Sequence, residues 1–259
     1  MAMEAEATTA PDMALADTDI NWHRIVHQIH GRTYESESIT MKVRVKAPSS
    51  PQKEYDYFSL VLRWPKSFCN TGSVTCTSPI PDYFTVHGLW PQLYNGQITT
   101  CYSTIRVNYS ELDSSVFNDM KHYWPDLIAR HNDRERLWNH EYQKHGSCFS
   151  PFQTQSRFYF EKTVEMAKQI GNVTDMLLDK GKIQPDDRKY RLRAFENAIF
   201  GHLKFIPRLR CNYARGGILQ LHEIAFCFNR NWALMSCGRN SNCGNSQVQP
   251  RPLVMFPRP

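Results

Sequence analysis

The chain has 259 residues, 41% hydrophobic and 22% charged, with a formal net charge of +6. That length suits one large domain or two small ones, and no apolar run reaches the ~20 residues that cross a bilayer, so a helical membrane protein is excluded. Residues 1–50 hold 5 Lys/Arg against 7 Asp/Glu, whereas 51–259 hold 26 against 18; a basic main part suits a polyanionic partner, although basic charge alone does not require one.

Residues 1–50 read as an N-terminal extension. They contain no cysteine, lack sustained periodicity and end in the breaker run Ala47-Pro-Ser-Ser-Pro51. Trp22–His30 has the pattern of a short helix without a core, and Ile39–Val45 alternates like an added edge strand. The acidic, Ala-rich start is unlike a secretory leader, which needs a basic start and about 7–15 consecutive apolar residues. Next, Phe58, Leu60, Leu62 and Trp64 alternate with Tyr57, Ser59 and Arg63, predicting a strand packed on one face and ended by Pro65. Tyr83–Trp90 predicts a second strand, with Thr85 and His87 on the face opposite Phe84 and Val86.

Ser110 is placed to cap a helix bearing Leu112, Val116 and Met120. Further helices are predicted over about 157–170 and 190–203, and a late strand over 219–228. The stretch 244–259 carries four prolines in sixteen residues and reads as an irregular tail. Strands and helices do not alternate as βαβ units. The expected fold class is therefore α+β, a single domain over 51–243 with a mostly antiparallel central sheet flanked by helices.

All eight cysteines (Cys69, Cys76, Cys101, Cys148, Cys211, Cys227, Cys237, Cys243) fall between 69 and 243, and none forms a Cys-x-x-Cys pair. Four disulfides are expected rather than a zinc site. The sequons Asn108-Tyr-Ser and Asn172-Val-Thr point to the same oxidising route and to glycosylation at Asn108 and Asn172. A secreted or vacuolar location is therefore expected, although no leader is visible at this N-terminus.

Two segments carry the chemistry: Phe84-Thr-Val-His-Gly-Leu-Trp-Pro91 and Leu137-Trp-Asn-His-Glu-Tyr-Gln-Lys-His-Gly-Ser-Cys148. On an α-helix, at about 100° per residue, His140, Glu141, Lys144 and His145 share one face of about 140°. Gly146 would then end the helix. A zinc hydrolase is the obvious rival, but its His-Glu-x-x-His spacing puts ligands at i and i+4. Here the spacing is His-Glu-x-x-x-His, and neither a metal nor a cofactor is expected. What the groups suit is RNA cleavage, where the 2′-hydroxyl is a built-in nucleophile. That reaction needs a base for the 2′ proton, an acid for the departing 5′ oxygen and positive charge at the phosphorane. Imidazoles transfer protons near neutral pH, each transfer contributing ~10²–10⁴-fold, and an ammonium stabilises the developing charge.

The two segments resemble the paired active-site motifs of the ribonuclease T2 family. The resemblance extends through Leu60-Val-Leu-Arg-Trp-Pro65, Tyr123-Trp-Pro-Asp-Leu127 and Glu223-Ile-Ala-Phe-Cys-Phe228, covering about 55–243. It implies His145 as general base and His87 as general acid, reversed when water opens the 2′,3′-cyclic phosphate. It further implies phosphate binding by His140 and stabilisation of the pentacovalent state by Glu141 and Lys144. Trp90 is expected at the substrate site, packing rather than reacting. Asp126, Ile128 and Leu137 match base-contacting positions, with Leu137 where plant relatives often have Phe and Arg63 where they often have Gln. The remaining histidines are expected at surface or structural positions. The implied disulfides are Cys69–Cys76, Cys101–Cys148, Cys211–Cys243 and Cys227–Cys237.

The run Leu-Val-Leu-x-Trp-Pro and the basic charge also look similar to the pistil ribonucleases of plant self-incompatibility. The expected partner is single-stranded RNA, with no membrane, in a monomer; a protein partner is expected if the chain is of the self-incompatibility type. Two alternatives stand beside this reading: a recognition protein that does not cleave, and a phosphate-recovery or defence ribonuclease.

Overall fold

A computed structural model describes residues 54–101, 103–105, 107–129, 135–147, 156–238, 241–244 and 252–259. The chain divides into two units, Met1–Ser49 and Ser50–Pro259, and every described residue belongs to the second. The extension, with its expected Trp22–His30 helix and Ile39–Val45 strand, lies outside the described residues.

In chain order the elements are β1 (Tyr57–Arg63), α1 (Pro65–Cys69), β2 (Thr85–Gln92), α2 (Ser114–Tyr123), α3 (Glu135–Glu141), α4 (Ser156–Ile170), α5 (Val173–Gly181), β3 (Lys189–Arg191), α6 (Leu192–Leu203), β4 (Arg208–Tyr213), β5 (Leu219–Asn229), β6 (Leu234–Met235) and β7 (Leu253–Met255). The strands form one sheet in the order β2-β1-β5-β7-β3, with β4 and β6 also pairing β5. Pairing is antiparallel except between β5 and β7. The α+β architecture expected from the pattern of elements is the one found.

β1 departs from its expected packing on one face: all seven residues are buried. Phe58, Leu60 and Leu62 enter the main core with Leu89, Ile224, Phe226 and Phe228. Val61 packs with Trp90 and Ala225, and Tyr57 joins the Cys227–Cys237 pair. Arg208 covers the same second face by donating to Tyr57 Oη at 2.8 Å and Gln92 Oε1 at 2.9 Å. The polar residues that suggested a solvent face are therefore enclosed: Tyr57 is hydrogen-bonded to Gln92 and Arg208, Arg63 lies 3.8 Å from the Glu223 carboxylate, and the Ser59 hydroxyl is buried. Pro65 ends β1 and opens α1, where its missing N–H is no loss.

Two boundaries move for local reasons. The helix expected from Ser110 begins at Ser114, because Asn108 Oδ1 accepts from the Ser110 N–H and holds Tyr109–Glu111 as a separate 3₁₀ turn. Residues 190–191 pair as part of β3, and the helix starts at Leu192.

The tail expected to be irregular is corrected over 252–259, while 245–251 lie outside the described residues. Val254 and Phe256 are wholly buried, β7 joins the sheet, and Trp64 donates to the Pro257 carbonyl at 2.9 Å. Alternating apolar residues override the breaking effect of the prolines around them.

Three expected disulfides are formed: Cys69–Cys76, Cys211–Cys243 and Cys227–Cys237. Cys101 is also disulfide-bonded, and its expected partner Cys148 lies outside the described residues. The sequon asparagines Asn108 and Asn172 are both exposed and both cap helical turns.

Candidate active site

β2 does not run straight. Val61 pairs with Gly88 while Leu62 pairs with Val86, so His87 is the extra residue of a β-bulge. A bulge re-aims a side chain and is common beside active sites. Here it breaks the expected alternation: Val86 and Leu89 both enter the main core, and His87 keeps a quarter of its side chain exposed. Its carbonyl accepts from Trp124 Nε1 at 2.9 Å, which ties the bulge to the end of α2. Its Nδ1 lies 2.6 Å from Glu223 Oε1, and its Nε2 lies 3.8 Å from Glu141 Oε1.

The second motif begins on α3 and continues as one π turn, Tyr142–Gly146, in which the Ser147 N–H donates to the Tyr142 carbonyl at 2.8 Å. Single π turns recur at functional sites because the widened turn re-spaces side chains. The spacing expected for an α-helix is therefore corrected. Glu141 and His145 both turn inward and are buried, His140 is exposed, and Lys144 is half-buried. Gly146 is the last residue of the turn, and only glycine fits there, since a Cβ would lie 2.8–2.9 Å from the Tyr142 and Tyr159 rings.

Trp90 connects the two motifs. Its ring lies 4.9 Å from His87 and 5.4 Å from His145, so one indole spaces both imidazoles. Its Nε1 donates to Glu141 Oε2 at 2.8 Å, and the Arg210 guanidinium lies 5.7 Å over its face. Trp90 thus packs, as expected, and also orients Glu141. Gly88 admits this contact, since a Cβ there would come within 2.2 Å of Glu141 Oε2.

Of the base-site positions, Asp126 accepts from the Ile128 N–H at 3.0 Å and acts electrostatically on Arg63. Ile128 bridges Cys76 and borders a cleft of about 680 Å³ shared with Asn70, Thr75 and Arg215. Leu137 is half-buried against the main core.

Sequence reasoning missed Glu223, Arg210 and His222 as neighbours of the site. Glu223 is a lone carboxylate within the apolar run of β5, a signal visible in the sequence. Its setting comes from register, because it pairs with Arg63 on β1 and Arg210 on β4. Arg63 Nε lies 3.8 Å and His222 Nε2 3.6 Å from Glu223 Oε1.

Burial, reinforced by the Lys144 ammonium, pushes His145 down to about 3 against a weaker opposing hydrogen bond to the Thr99 backbone. Burial likewise lowers His222 to about 4. Burial would raise Glu223, but hydrogen bonding and charge from His87, with His222 and Arg63, hold it at about 2. The two histidines are thus neutral at pH 7 in the folded chain, whereas unfolded imidazoles titrate near 6.5. Between pH 6.5 and these lowered values the unfolded chain takes up protons that the native state refuses, so stability falls with pH. Each imidazole is expected to cost about 1.4 kcal/mol per pH unit across that window, and Glu223 adds to the loss only below about pH 4.5. Thermal midpoints should drop steeply from pH 6.5 to 4, and a flat profile would contradict this burial.

The chain matches the model of the Ribonuclease T2 family over residues 55–237. It is 30% identical over 202 residues to extracellular ribonuclease LE of Solanum lycopersicum, covering 75% of this chain and 86% of the relative. It is 31% identical over 184 residues to ribonuclease S-2 of Antirrhinum hispanicum, covering 70% and 75% respectively. RNase NT in complex with 5′-AMP superposes with a TM-score of 0.67 at 27% identity, over 80% of this chain and all of that one.

Proposed function

The chain belongs to the ribonuclease T2 family and is an RNA endonuclease, and on that premise we propose that it cleaves single-stranded RNA without a metal, through a 2′,3′-cyclic phosphate to 3′-phosphate ends. The observation that carries this reading is the pair of imidazoles set on one indole, His87 and His145, with the Glu141 carboxylate between the two motifs. His145, neutral at neutral pH, accepts the 2′-hydroxyl proton. The phosphodiester's negative charge favours the imidazolium that results. His87 Nε2 delivers a proton to the 5′ oxygen as the P–O bond breaks. Lys144 and Glu141 stabilise the pentacovalent state, the first by its charge and the second by holding the His87 imidazolium, whose Nε2 lies 3.8 Å from Glu141 Oε1. His140, exposed beside them, binds a phosphate. Asp126, Ile128 and Leu137, with Trp90, belong to the proposed substrate site.

A self-incompatibility role and export are part of the same proposal. The run Leu60-Val-Leu-Arg-Trp-Pro65 and the basic charge support the first. The disulfides, the exposed sequon asparagines and the likeness to an extracellular relative support the second.

The test is incubation with single-stranded RNA in excess EDTA, followed by analysis of the new ends. Cyclic and 3′-phosphate termini are expected. Intact RNA would favour a non-cleaving recognition protein, and cleavage that EDTA abolishes would favour a metal hydrolase.

A further inference from the structure

Outside the two motifs, the group closest to the proposed proton-transfer machinery is Glu223. It is 4% exposed and sits in the middle of β5. Its Oε1 is 2.6 Å from His87 Nδ1, a contact between a strand at one edge of the sheet and a strand two places inward. We propose that Glu223 is the positioning residue of His87: its carboxylate holds the Nδ1–H, so that Nε2 alone gains and loses the transferred proton.

A carboxylate is acceptor-only, so at 2.6 Å the nitrogen facing it must carry the hydrogen. Neutral imidazole has one N–H, and fixing it at Nδ1 leaves the Nε2 lone pair toward the cleft, where Glu141 Oε1 lies 3.8 Å away. Protonated imidazole donates from both nitrogens, so the same carboxylate holds the ring in either state. Glu223 thus fixes the ring and its tautomer.

The surroundings keep Glu223 ionised. The Arg63 guanidinium on β1 approaches the same oxygen at 3.8 Å and Arg210 is its register partner on β4, while His222, neutral at pH 7, lies 3.6 Å away without adding charge. On the far side of His87 the charged neighbour is Glu141 of α3. A purely structural ion pair with Arg63 would make no use of the shorter contact to a bulged histidine. Glu223 does not reach the reacting atoms; it acts through the ring.

This inference rests on reading His87 as a catalytic acid, and the test separates the two. In Glu223→Gln the amide can donate to Nδ1, reversing the tautomer and removing the anion. The kcat on RNA at pH 7 is expected to fall roughly 10- to 100-fold with KM little changed. Glu223→Asp, which keeps a carboxylate facing Nδ1, should recover much of the lost kcat. If Glu223→Gln keeps half the wild-type kcat while His87→Ala is inactive, the positioning role is overturned and the reaction stands. If His87→Ala is itself active, the reading of His87 fails instead.

Because the substitution leaves Arg63 with one charged neighbour fewer in a buried setting, a second measurement needs no variant. Two-bond ¹H–¹⁵N spectra of the wild-type chain, taken where the ring is neutral, should show His87 as the Nδ1–H tautomer. An Nε2–H tautomer would overturn the proposal whatever the variants do.

Discussion

Replacing His145 with alanine is expected to lower kcat on RNA by at least ~10²-fold, and His87→Ala by a comparable factor, because each removes a proton-transfer group. The two losses should differ in kind. A base acts on the 2′-hydroxyl whatever the leaving group, while an acid matters only when the departing oxygen is a poor leaving group. On a 3′-(p-nitrophenyl phosphate) ester of a nucleoside, where the leaving phenolate needs no proton, His87→Ala should recover most of its rate. His145→Ala should not. The opposite pattern would exchange the two roles, and a tenth of wild-type kcat remaining in His145→Ala would remove it from the mechanism. His140→Ala should raise KM more than it lowers kcat, since that exposed ring is proposed to bind phosphate. His145→Ala should also flatten the acid loss of stability, because the buried imidazole that resists protonation is gone.

What could be read from the sequence was the chemistry, carried by short contiguous segments. His-Gly-Leu-Trp-Pro and His-Glu-x-x-Lys-His-Gly-Ser-Cys name the reacting side chains without knowledge of the fold. β1 and α4 were legible because their apolar residues recur at a single period, and β5 because it carries a continuous apolar run. Departures from that period were not. The bulge at His87 requires no special residue, only a partner strand whose register slips by one, and no strand records its neighbour's register in its own sequence. The π turn over Tyr142–Gly146 packs Gly146 against the Tyr159 ring of α4, a neighbour that its own five residues do not announce. Glu223 was visible as a misplaced charge, yet its meaning depends on Arg63, Arg210 and His87 arriving from three other strands. The C-terminal strand was obscured because four prolines outweighed the alternation of Val254 and Phe256.

Gly88→Ala is expected to lower kcat by roughly 10- to 100-fold although Gly88 carries no chemistry. The added Cβ would lie 2.2 Å from Glu141 Oε2 and 2.5 Å from Trp90 Nε1, both inside van der Waals contact. The carboxylate is the more mobile partner, but it is 3% exposed, receives the indole N–H at 2.8 Å and faces His87 Nε2 at 3.8 Å. Room for the methyl therefore has to come from breaking the Trp90–Glu141 hydrogen bond or shifting β2 at its bulge. Hydrogen bonds to charged groups contribute about 1.5–3 kcal/mol, which is that same 10- to 100-fold if the bond is held through the transition state. A loss of stability of similar size should accompany it. A double-substitution cycle identifies the route. If the methyl acts through Glu141, then Gly88→Ala added to Glu141→Gln should cost much less in kcat than it does alone, because the two changes disable one interaction. Additive losses would mean that the strand itself has moved and displaced His87. An unchanged kcat in Gly88→Ala alone would show that Glu141 can leave its place without consequence, and its proposed part in stabilising the pentacovalent state would fall with it.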